Sequence, residues 1–143
     1  LLTGSLDQRV VHEACRRGVL DRQIPVLRRH YAAKRDVMQR ALTRELGDLA
    51  TWPQPNGGFF LWLTLPRVID ADRMIPRAVE EGVVYVAGEA FYVNGEGQNT
   101  LRLSFSAPTP ERIEIGVARL AKALRAELAA PATAGAAADP AAR

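Results

Sequence analysis

Two hydrophobic rhythms divide this chain, and the change between them falls near residue 48. Before it, Ile24, Leu27, Tyr31, Met38, Leu42 and Leu46 recur at spacings near three and four, as one face of a helix does. This stripe predicts a long helix capped by Asp21, with Pro25 in its first turn and Gly47 at its close. A shorter helix, LDQRVVHEACRR, precedes it. Ser5 followed by Gln8 reads as a capping box, and Gly18 as the stop.

After residue 48 the period shortens. TWPQPNGGFFLWLTLP reads as a turn feeding a strand. From Phe59 to Leu65 nearly every residue is apolar, which predicts cover on both faces, one of them from helices. Asp70 is placed to cap a helix through Glu81 with Gly82 as its stop, and Pro76 should kink or delay that helix. VVYVAG reads as a short strand and EAFYVNGEGQN as a long loop. NTLRLSF then alternates: Leu101, Leu103 and Phe105 share one face, Thr100, Arg102 and Ser104 the other. Thr109-Pro110 opens a final helix whose buried stripe is Ile113, Val117, Leu120, Leu124 and Leu128.

The order of elements gives an α+β fold: a small antiparallel or mixed sheet packed against helices. Residues 1–47 form a helical segment, 48–128 a small α/β domain, and 129–143, rich in small residues and proline, a disordered tail.

Composition narrows the function classes. No apolar run is long enough to span a bilayer and no signal pattern opens the chain, so a cytoplasmic location is the default and no membrane partner is expected. Net charge is +3, carried by 17 arginines and two lysines scattered beside acidic residues, so no nucleic-acid partner is expected. The single Cys15 forms no intrachain disulfide and reads as a small buried side chain.

Candidate chemistry is sparse. NGEGQN lacks the G-x-G-x-x-G spacing and precedes a strand rather than a helix, so it reads as a turn and not a phosphate cradle. His12 and His30 lie on separate helices without a second ligand at metal spacing. Glu80-Glu81 and Asp70/Asp72 read as helix-end charges, and no nucleophile–base set is found. Gly57-Gly58 stands at a strand entrance, where it serves either a simple turn or close approach of a ligand. Arg102 is either a surface arginine or a two-pronged grip on a carboxylate, whose two oxygens its planar fork matches.

Four ordered segments carry a resemblance. LDRQIPVLRRHYAAKRDVMQRAL, PNGGFFLWLTLP, EEGVVYVAGEAFY and NTLRLSFSAPTPERIEIGVARLAKAL together resemble the C-terminal part of class I/II, fold-type-I aminotransferases, over about residues 1–128. The first segment resembles the long helix joining their large and small domains, and the rest their small domain. With TGSLDQ at the start, the likeness is nearest the 2-aminoadipate branch. Ala87 departs from the family pattern, which has proline before the glycine, and Pro76 is unusual in its helix.

The resemblance implies amino-group transfer between an amino acid and a 2-oxo acid, using pyridoxal 5'-phosphate in a homodimer. It implies that Arg102 holds the substrate α-carboxylate, that Gly57 and Gly58 line the substrate pocket, and that the loop from Glu89 to Tyr92 borders it. The family's Schiff-base lysine belongs to a large domain with no counterpart here; only Lys34 and Lys122 are present, both expected on solvated helix faces. The cofactor would be bound mainly by that domain, and this chain alone is expected to be inactive. The alternative is the effector domain of a transcription regulator with an aminotransferase-like fold.

Overall fold

The computed structural model describes residues 4–130. Two helices come first, α1 (Ser5–Arg16) and α2 (Val19–Leu46). They are followed by β1 (Phe60–Thr64), α3 (Ile75–Glu80), β2 (Val86–Ala87), a 3-10 turn over Gly88–Phe91, β3 (Thr100–Ser104) and α4 (Pro110–Ala129). The strands form an antiparallel sheet in the order β1-β3-β2, which puts the Arg102 strand at the centre. Leu61, Leu63, Leu101, Leu103 and Phe105 on one face join Met38, Leu42 and Leu46 of α2 and Ile113, Val117, Leu120 and Leu124 of α4 in one core. Each such side chain, once fully buried, contributes about 1.5–3 kcal/mol.

The expected boundaries shift where local chemistry outweighs the pattern. α1 begins at Ser5 itself with Gly4 at the cap position, so Ser5 is not the capping residue. Gly18, at φ 67°, serves the turn between the two helices, and α2 starts directly after it at Val19 rather than being capped by Asp21. The helix expected over 70–81 is delayed to Ile75, just ahead of Pro76. Before it, the Asp70 carboxylate accepts from the Asp72 and Arg73 N–H groups and closes a turn instead. VVYVAG supplies only two residues of ladder.

Burial brings three further corrections. β1 is not covered on both faces: Leu61 and Leu63 are buried, whereas Phe60 and Thr64 are exposed and Trp62 half-buried. The two-residue period therefore holds in β1 despite its uniformly apolar sequence. Along α2, Ile24 and Leu27 are exposed while the same stripe is buried from Met38 onward. Cys15 is exposed rather than buried, because α1 buries none of its residues against the rest of the described chain. The tail expected over 129–143 lies, from residue 131, outside the described residues.

Candidate functional site

Arg102 sits in the middle of the central strand, opposite Trp62 of β1 and Val86 of β2. Strand alternation sends its side chain to the sheet face away from α2 and α4. Two aromatic rings meet it there. Its guanidinium carbon lies 4.1 Å from the centre of the Phe60 ring and 4.7 Å from that of Phe91. Phe60 is on β1, two residues before Trp62, and Phe91 ends the 3-10 turn.

The charge on Arg102 is uncompensated among the described residues. Ion pairs there engage Arg16, Arg17, Arg35, Arg44, Arg73, Arg77 and Lys122, not Arg102. Its Nε is buried and has no hydrogen-bond partner. A buried N–H left unbonded costs about 1–3 kcal/mol, and a cationic one more. Ring faces stabilise a cation without using its N–H groups; Nε is covered by protein, whereas the terminal NH2 groups, which meet no acceptor among the described residues, are the ones a planar carboxylate can take with two parallel bonds.

The 3-10 turn is packed against Thr100 of β3 at its start, and the residue after it against Gly97, just ahead of β3. Gly88 packs so tightly that a β-carbon there would come within 1.8 Å of Thr100 Oγ1. Thr100 is buried, and its hydroxyl donates to the Gly97 carbonyl at 2.7 Å. Farther along, the Tyr92 ring lies against Gly97, at 2.3 Å from where a β-carbon would stand. Gly97 has φ 78°, so both the space and the backbone call for glycine. Trp62 meets Phe91 edge-to-face at 5.4 Å and Tyr92 at 6.2 Å.

Gly57 and Gly58 are exposed ahead of β1, and an added β-carbon would meet nothing within 4 Å at either. Gly58 has φ 81°, so the turn requires glycine there, whereas open space is all that distinguishes Gly57. Lys34 is buried, contrary to the solvated face expected for it, and donates to the Ser106 carbonyl at 2.8 Å; Lys122 pairs with Glu81 at 2.9 Å. A separate cavity of about 560 Å3 lies between α4 and residues 82–84, walled by Val83, Leu103, Val117 and Leu120 with Arg112 and Arg119. Arg102 does not line it.

The sequence singled out Arg102 as a candidate but did not reveal Phe60, Trp62 and Phe91 around it. Phe60 and Trp62 were legible as one face of a strand. What was not legible was that β1 pairs with the arginine strand and that a turn brings Phe91 back over it.

The family profile described as aminotransferase class I and II matches residues 5–120. The 2-aminoadipate transaminase of Thermus thermophilus is 41% identical over 129 residues, covering 90% of this chain and 32% of that protein. Among solved structures, the α-aminoadipate aminotransferase of Thermus thermophilus, complexed with N-(5'-phosphopyridoxyl)-L-leucine, superposes with a TM-score of 0.79. It is 41% identical, over 87% of this chain and 32% of that one. An uncharacterized HTH-type transcriptional regulator of Bacillus subtilis is 28% identical over 123 residues, covering 86% of this chain and 25% of that protein. The chain thus spans about a third of the length of the transaminase it matches.

Proposed function

The chain belongs to the class I and II aminotransferases, and we propose that it serves as the C-terminal, small-domain portion of such an enzyme, where Arg102 binds the α-carboxylate of the amino acid and of the 2-oxo acid. In this reading residues 1–47 join the domains and 48–128 form the small domain. One observation carries the assignment of Arg102: its guanidinium lies over two aromatic rings and meets no acceptor or anion among the described residues, which leaves its terminal NH2 groups for a ligand. A charge-assisted bond to a carboxylate contributes about 1.5–3 kcal/mol, and a paired grip fixes the substrate's rotation as well. Fixing that rotation lowers the barrier by holding the reacting Cα–H bond in one orientation.

Gly57 and Gly58 border the same substrate space in this proposal, since they lead directly into β1, whose Phe60 ring meets the Arg102 guanidinium. A homodimer is supported by the apolar residues left exposed along α1 and early α2, among them Leu6, Val10, Val11 and Ile24.

Pyridoxal phosphate does not fit the lysines of this chain. A Schiff base beside the substrate requires an amine near Arg102, whereas Lys34 is buried on α2 with its ammonium donating to the Ser106 carbonyl and Lys122 is a surface residue of α4, both helices lying on the opposite face of the sheet. The cofactor is therefore assigned to residues outside this chain, and Arg102 acts on substrate alone.

The test uses a family-length protein carrying this chain. Arg102→Lys keeps the charge but loses the paired geometry, and is expected to lower kcat/KM for amino acids by about 10- to 100-fold with cofactor absorbance unchanged. Unaltered kinetics would remove Arg102 from substrate binding. The 143-residue chain by itself is expected to show no transamination when mixed with pyridoxal phosphate.

A further inference from the structure

The carboxylate-binding reading of Arg102 leaves open what holds a lone cation in register on an open sheet face. We propose that Phe91 is a positioning residue for Arg102: with Phe60, it pins the guanidinium by its face and leaves the N–H fork directed at the ligand.

The argument starts from how a guanidinium can be held. Hydrogen bonds from a carboxylate or carbonyl would hold it by its edge, which is also the edge a ligand needs. Ring faces hold it without occupying that edge. Here two rings contact it, at 4.1 Å and 4.7 Å, and no acceptor among the described residues meets the guanidinium. Phe60 is fixed by the ladder, since it stands opposite Ser104 in the β1–β3 register. Phe91 is not on a strand, so it needs separate support.

That support is present on three sides. Gly88 anchors the start of the 3-10 turn against Thr100, and the Tyr92 ring fits over Gly97 immediately after Phe91. Trp62 meets the Phe91 ring at 78° between planes, and it belongs to the strand that also carries Phe60. Phe91 nevertheless remains 49% exposed, too open for its main role to be core packing. Its ring meets Arg102 and Trp62.

This inference rests on Arg102 binding the substrate carboxylate, and the experiment separates failure of the one from failure of the other. In a family-length protein carrying this chain, Arg102→Lys, Phe91→Leu, Phe91→Tyr and Phe60→Leu are compared by steady-state kinetics with an L-amino acid. Phe91→Leu is expected to raise KM by about 3- to 10-fold with kcat within about twofold, between the size of an exposed and of a desolvated cation–ring contact. Phe91→Tyr restores a ring face and should return KM to within about twofold of the parent; Phe60→Leu should resemble Phe91→Leu. If Arg102→Lys raises KM but Phe91→Leu does not, or if Tyr is no better than Leu, the positioning role is overturned while carboxylate binding stands. If Arg102→Lys leaves kcat/KM unchanged, carboxylate binding itself fails. A second readout needs only the 143-residue chain: ring currents from two faces should shift the Arg102 Nε–H resonance upfield, and Phe91→Leu should relieve part of that shift. A resonance at the ordinary arginine position in both would also overturn the proposal.

Discussion

Replacing Gly88 with alanine tests the packing that holds the site together. The new methyl carbon would stand 1.8 Å from Thr100 Oγ1, 2.9 Å from Thr100 Cβ and 3.0 Å from its main-chain carbonyl carbon. Ordinary carbon contacts need roughly 3.5–4 Å. Rotating the threonine cannot relieve all of this, because one of the three atoms belongs to the central strand's backbone. Moving it also breaks the 2.7 Å bond from Thr100 Oγ1 to the Gly97 carbonyl. Overpacking costs about 1–3 kcal/mol and a lost neutral hydrogen bond about 0.5–1.5 kcal/mol, so Gly88→Ala should destabilise by about 2–4 kcal/mol. Urea unfolding followed by Trp62 and Trp52 fluorescence should show a lower midpoint at an unchanged slope. Thr100→Ala removes Oγ1 but leaves the other two contacts. The double variant should therefore be less destabilised than the sum of the singles by about 0.5–2 kcal/mol, and still fall short of the parent. A Gly88→Ala protein within about 0.5 kcal/mol of the parent, or strict additivity with Thr100→Ala, would refute the claim that this contact clamps the turn.

Three further outcomes are expected. Gly58→Ala should cost about 1–2 kcal/mol, because alanine must adopt the left-handed conformation at φ 81°, whereas Gly57→Ala should stay within about 0.5 kcal/mol; equal losses in urea unfolding would contradict this. Tyr85→Phe removes a buried hydroxyl that donates to the Ala71 carbonyl at 2.5 Å, and should cost about 1–3 kcal/mol at neutral pH. Burial first, and then the nearby carboxylates of Asp72, Glu127 and Asp70, raise the Tyr85 pKa well above the usual phenol value. A raised pKa means that its contribution is full below about pH 10 and is lost as pH climbs beyond that, so alkaline unfolding should be shallower in the phenylalanine variant; the same slope in both would contradict it. Thr109→Ala deletes the side-chain cap of α4, whose oxygen accepts from Arg112 N–H at 3.4 Å, and should lower the urea-derived stability by about 0.5–1 kcal/mol, with no change contradicting the cap.

Local patterns revealed much of this fold because local physics decided it. The α4 stripe of Ile113, Val117, Leu120 and Leu124 is buried as its spacing requires. Leu101, Leu103 and Phe105 likewise turn inward together from β3. The pattern failed where a long-range neighbour decides. Ile24 and Leu27 repeat the α2 stripe yet remain exposed, because α4 and the sheet do not pack against that end of the helix in the described structure. Lys34 looked like a solvated residue, but the Ser106 carbonyl, 72 residues away, gives its ammonium a buried partner. The apolar run of β1 suggested cover on both faces, whereas Phe60 and Trp62 lie on the face that receives the Arg102 guanidinium. For the site, the sequence marked the cation, and strand pairing together with the turn at Gly88 supplied its surroundings.

The central claim, that Arg102 holds a substrate carboxylate, is met most directly by changing the substrate and the residue together. In a family-length protein carrying this chain, amino-group transfer from an L-amino acid would be compared with transfer from the amine lacking its carboxylate, before and after Arg102→Ala. The account predicts that the substitution lowers kcat/KM for the amino acid by about 10- to 100-fold and leaves the amine within about twofold, erasing most of the preference between them. An equal fall for both substrates, or an undiminished preference for the amino acid, would contradict it.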